Sequence, residues 1–115
     1  MGNDQQVADR SNRTIQDGVL ELRIRQDPGS WVIEAHGELD FANAATLESE
    51  LQQRDGKRVV LDLSRLEFMD TAGISLLWRA ARRPESQIEV HCGSGQPSRV
   101  LRLCGVDQRI WQLRE

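Results

Sequence analysis

The run Arg58-Val59-Val60-Leu61-Asp62-Leu63-Ser64 constrains this chain more than any other stretch. It is too short and too evenly apolar to be an amphipathic helix, and it reads as a strand in the middle of a sheet. A helical pattern follows from Thr71 to Arg83, with Ile74, Leu77, Trp78 and Ala81 as its buried stripe and Pro84 closing it. Gln87-Ile88-Glu89-Val90-His91-Cys92 then reads as a further strand. A strand, a helix and a strand in succession imply parallel pairing. Leu61, Leu63 and Leu77 are expected in the core.

Upstream, Val19-Leu20-Glu21-Leu22-Arg23-Ile24-Arg25 alternates apolar and polar residues, as a half-buried strand does. Asp27-Pro28-Gly29-Ser30 is a turn, because proline presets φ and glycine tolerates a positive one. Trp31 to Leu39 completes an antiparallel hairpin. Asp40 stands before a short amphipathic helix, Phe41 to Leu51, with Ala44, Leu47 and Leu51 on one face and Asp55-Gly56 ending it. After Gly93-Ser94-Gly95-Gln96-Pro97 a last helical stretch runs from Ser98 to Leu103, and Ile110 to Leu113 is a possible terminal piece. The expected fold is α/β: a single domain with a mixed β-sheet covered by helices, in the order β-β-α-β-α-β-α. Residues 1–16 are polar and lack periodicity, so a flexible tail is expected there, with the domain spanning 17–115.

Composition narrows the function classes. At 115 residues there is room for one domain, and 38% hydrophobic with 29% charged residues suits a soluble one. A formal net charge of −3 gives no electrostatic reason to expect nucleic acid. No apolar run can span or insert into a bilayer, and the N-terminus lacks the apolar centre of a signal peptide, which points to the cytoplasm. Cys92 and Cys104 are too far apart for a redox or zinc motif and read as buried small hydrophobes. His36 and His91 are isolated within strands, and no metal set or cofactor motif is expected. A nucleophile with its base, paired carboxylates and a phosphate-binding glycine loop are all missing from the pattern, so an enzyme is not expected.

The informative constellation is Phe68-Met69-Asp70-Thr71-Ala72-Gly73-Ile74. Asp70 is placed to accept hydrogen bonds from the free N–H groups of a helix start, where its charge suits the dipole. Thr71 then lies on the first turn with its hydroxyl near the surface. Gly73, having no side chain, is expected to leave the adjoining surface bare. An Asp-Thr pair at a helix start is also common as plain capping.

The chain as a whole resembles the STAS family, the bacterial anti-sigma-factor antagonists and their relatives, over roughly residues 17–113. Gly37-Glu38-Leu39-Asp40 with its alanine-rich helix resembles the family's G-E-L-D motif. Val60-Leu61-Asp62-Leu63-Ser64 is similar to its strand ending in D-L-S, and Phe68 to Ile74 to its phosphorylation loop, F-M-D-S-S-G-L. The resemblance implies a non-enzymatic switch. Unphosphorylated, it binds an anti-sigma factor that is also a serine/threonine kinase, freeing the sigma factor. Phosphorylation of the hydroxyl residue after the loop aspartate, here Thr71, releases it, and a phosphatase reverses the mark. The implied partner face takes in Asp40, Asn43, Asp70, Ala72, Gly73 and Ile74, although Asp40 can equally serve only as a helix cap. Thr71 stands where serine is commoner, and Ala72 removes the neighbouring acceptor. Threonine in an Asp-Thr-Gly-type loop also fits a STAS accessory subunit of a phospholipid-transport ABC system. A scaffold part of a larger stress-sensing complex is a third possibility. Arg79, Arg82 and Arg83 read as a solvated helix end, Trp78 as core, and Trp31 and Trp111 remain open.

Overall fold

The computed structural model describes residues 12–103 and the strand Gln112–Arg114. Its elements are β1 (Asn12–Asp17), β2 (Leu20–Asp27), β3 (Ser30–Leu39), α1 (Ala44–Gln52), β4 (Arg58–Asp62), β5 (Leu66–Met69), α2 (Thr71–Ala81), β6 (Gln87–His91), α3 (Gln96–Leu103) and β7 (Gln112–Arg114). The sheet runs β1-β2-β3-β4-β6-β7, with β5 pairing β3 beyond the end of β4. The β1-β2-β3 pairs are antiparallel and the rest parallel. This is the mixed α/β sheet expected, in the expected order, with β1, β5 and β7 added.

Alternation explains β2 and β3. Leu20, Leu22 and Ile24 lie opposite Gly37, Ala35 and Ile33 across the ladder, so one face of the hairpin is apolar. Ile33 pairs with Leu61, and Leu61 with Val90, which carries that face across β4 and β6. Leu61, Leu63 and Leu77 are fully buried, and all three helices bury residues in this one core. The opposite face is charged, with Arg25 bridging to Glu34 at 2.7 Å and Arg23 to Glu21.

Two of the five glycines at positive φ among the described residues shape the β3 strand. Gly29, at φ +85°, makes the tight turn after Pro28. Gly37, at φ +93°, lies where a Cβ would stand 2.0 Å from the Val19 carbonyl oxygen. It also marks an irregularity in the β3–β5 register, so the G-E-L-D glycine is where the chain bends from one strand partner to the next.

The expected flexible tail is corrected over residues 12–16, which belong to edge strand β1 and pair with β2 from Asn12↔Arg25 to Asp17↔Leu20. Its sequence, NRTIQD, is polar because an edge strand of this sheet keeps both faces largely in water. Ile15 alone packs against the core. Residues 1–11 lie outside the described residues, as do Cys104, Ile110 and Trp111.

Candidate functional site

The site forms where β3 and β5 end side by side. Leu39 pairs with Met69 in parallel register, and the Asp70 N–H donates to the Leu39 carbonyl at 3.1 Å. The next residue on each strand is an aspartate, so Asp40 and Asp70 emerge together although 30 positions separate them in the chain. Register, rather than local sequence, joins the two motifs.

Asp70 organises the junction. Its Oδ1 accepts from the Ala72 and Gly73 N–H groups at 2.9 and 3.3 Å, capping α2 as expected. Its Oδ2 accepts from the Phe41 N–H at 3.2 Å, so one carboxylate fixes both the start of α2 and the turn before α1. Thr71, the first residue of α2, is exposed, and among the described residues no group engages its hydroxyl. The positive end of a helix dipole tolerates added negative charge, so phosphate on this hydroxyl is compatible with the fold.

The turn from Asp40 to Asn43 differs from the helix expected to begin at Phe41. α1 starts at Ala44, because Asn43 turns its amide inward: Oδ1 accepts from the Asp40 N–H at 2.9 Å, and Nδ2 donates to the Glu38 carbonyl at 3.0 Å. Asp40 accepts from the Ala42 N–H at 3.0 Å and tightens the same turn. Asn43 is only 2% exposed, so it supports the face from beneath instead of lying on it.

Gly73 is also below the surface. A Cβ there would lie 2.7 Å from Met69 Cγ and 3.0 Å from Leu39 Cδ2, so the missing side chain lets α2 sit against the ends of β3 and β5. The expected bare patch beside Thr71 is therefore corrected. The same close approach turns the helix by about one position. Gly73, Leu76, Leu77 and Ala80 are its buried residues, while Ile74, Trp78 and Ala81 are half-buried against the core. What Thr71 shares a surface with is Asp40, Asp70 and the half-buried Ala72 and Ile74.

Three contributors carry no local sequence signal. Gln96, at the start of α3, pairs its side-chain amide with the backbone of Met69, accepting from its N–H and donating to its carbonyl at 3.0 Å each. The amide acts as a one-residue strand partner for β5. Arg79, expected on a solvated helix end, makes a two-pronged bond to Glu48 of α1 at 2.9 Å on each prong. That bond holds the Glu48 carboxyl below its ordinary range and raises the Arg79 guanidinium. Phe41 is 86% exposed at the edge of the same face.

The remaining candidates are structural. Trp31 stacks beneath the Arg54 guanidinium at 4.5 Å, and Arg54 bonds to Glu50 within α1 and its flank. His36 and His91 pair with Glu34 and Glu89 along their own strands. Cys92 is buried. Among the described residues no three metal-ligating side chains gather, and no helix is long and apolar enough to cross a membrane.

A family model described as "Mlab, STAS domain" matches residues 22–115. No curated protein matches the chain by sequence. Its fold is similar to the crystal structure of an anti-sigma factor antagonist from Mycobacterium paratuberculosis, at 21% identity and a TM-score of 0.71, covering 87% of this chain and 90% of that one. It is similar also to the anti-sigma factor antagonist SpoIIAA in its unphosphorylated form, at 17% identity and a TM-score of 0.59, over 82% of this chain and 87% of that one. A third similar structure is an antisigma-factor antagonist STAS domain from Rhodobacter sphaeroides, at 20% identity and a TM-score of 0.51, over 65% and 88% respectively.

Proposed function

Since this chain belongs to the STAS-domain family, we propose that it is an anti-sigma-factor antagonist, a non-enzymatic binding switch set by phosphorylation of Thr71. The observation that carries this reading is the junction itself. An exposed threonine follows the capping Asp70 at the start of α2, beside Asp40 from the other motif. The unmodified face of Asp40, Asp70, Ala72 and Ile74 binds an anti-sigma factor kinase and so frees a sigma factor in the cytoplasm. Asn43 and Gly73 keep that face in shape. A phosphate on Thr71 adds close to two negative charges beside two carboxylates. The helix start accommodates it, but a partner surface fitted to the bare hydroxyl does not, and the complex releases. A phosphatase restores the binding form.

The threonine in the Asp70-Thr71 loop favours a second reading, a STAS accessory subunit of a phospholipid-transport ABC system. One experiment separates the two. Purified protein is incubated with a kinase-type anti-sigma factor from the same genome and ATP, and read by intact-mass and peptide analysis. The switch predicts one added phosphate on Thr71, absent from Thr71→Ala. Thr71→Ala should fold normally and bind the kinase at least as persistently as the unaltered chain, and Thr71→Glu more weakly. No modification, with equal binding by all three proteins, would move the assignment to the transport subunit.

A further inference from the structure

Building on the antagonist reading, we infer that Phe41 is the apolar anchor of the partner interface and inserts into a recess on the anti-sigma kinase rimmed by cationic side chains. The ring is 86% exposed, against 43% for Phe68, the other exposed aromatic among the described residues. An aromatic left in water costs the free protein favourable burial, and such residues dominate binding energy where they are exposed on an interface. Its backbone is fixed: the Phe41 N–H is held by Asp70 Oδ2 at 3.2 Å, and the turn is locked on either side by Asp40 and Asn43. An anchor whose backbone is held in place before binding loses less conformational freedom on association.

The surroundings define the complementary surface. Behind Phe41 a groove of about 250 Å³ opens between α1 and α2, lined by Ala44, Ala45, Ala72 and Ser75 and flanked by the Glu48–Arg79 pair. Small side chains leave room for a partner side chain to pack beside the ring. On the other side the rim is acidic, with the half-buried carboxylates of Asp40 and Asp70 bonded into the Phe41 turn. An apolar anchor with an acidic rim calls for an apolar recess with a basic one. Ala72 lies both in the groove and next to Thr71. Phosphate on Thr71 therefore reaches the edge of the anchor's footprint, and Asp70 joins the switch to the anchor through a single carboxylate.

The test is titration of purified anti-sigma kinase, without ATP so that Thr71 stays unmodified, into the unaltered chain, Phe41→Ala and Phe41→Trp. Phe41→Ala should weaken binding by about tenfold or more, with an unchanged unfolding midpoint because the ring supports no core packing. Phe41→Trp should retain most of the affinity. Binding by Phe41→Ala within about twofold of the unaltered chain, while Thr71→Glu still weakens it, overturns the anchor and leaves the switch standing. A kinase that does not bind the unaltered chain overturns both the switch and the named occupant of this surface.

Discussion

Replacing Gly73 by alanine sets two effects against each other. Alanine is the better helix former, by about 1 kcal/mol. Yet its Cβ would stand 2.7 Å from Met69 Cγ and 3.0 Å from Leu39 Cδ2, both on fully buried side chains with nowhere to move. Overpacking of this kind costs about 1–3 kcal/mol, so steric strain wins. Urea denaturation should show Gly73→Ala less stable by about 1 kcal/mol. A more stable variant would mean that α2 does not rest on the ends of β3 and β5. Asp70 is the residue most legible in the sequence, because capping depends only on neighbours in the chain. Its bond to the Phe41 N–H was not legible, since it spans the register of two strands.

Between the elements, the contact most exposed to test is the one joining α1 to α2. The Arg79 guanidinium, bonded to Glu48, holds that carboxyl below its ordinary value of 4.5. A carboxylate that is more acidic folded than unfolded stabilises the fold above its ordinary range, and the contribution is lost as pH falls through the lowered value. Glu48→Gln should therefore flatten the acid limb of the stability curve at and below about pH 4.5, with little change in its shape near neutrality. The effect is kept small by the exposure of Arg79, whose side chain is 57% accessible. An acid limb identical to that of the unaltered chain would remove the pair from the account of how the helices are held. Elements with strong periodicity were read correctly from sequence, including β2, β3, β4 and β6. β5 was missed because four residues, Leu66 to Met69, show no alternation and pair only with the far end of β3.

For the molecule as a whole, β1 changes where the domain begins. Six residue pairs join it to β2, Ile15 rests on the core, the Thr46 hydroxyl bonds to Asp17 at 2.5 Å, and Arg13 lies 3.5 Å from Glu50. A chain starting at residue 18 should melt about 5 °C or more below one starting at residue 12. Coincident melting curves would show that the edge strand contributes nothing. Sequence reasoning gave the architecture because the core strands and helices announce themselves by pattern. It could not show that polar residues 12–17 extend the sheet, since an edge strand in water has no pattern to keep. The Gln96 amide was invisible for a related reason, acting alone and across 27 positions. That amide has a dynamic consequence. Because β5 borrows one side chain of α3 as its outer partner, a brief undocking of α3 frees the Met69 N–H and carbonyl while the ladders of β3, β4 and β6 stay closed. Hydrogen exchange is therefore expected to find the Met69 amide opening at a smaller free energy than global unfolding. How long the junction stays assembled is thus set by the docking of α3.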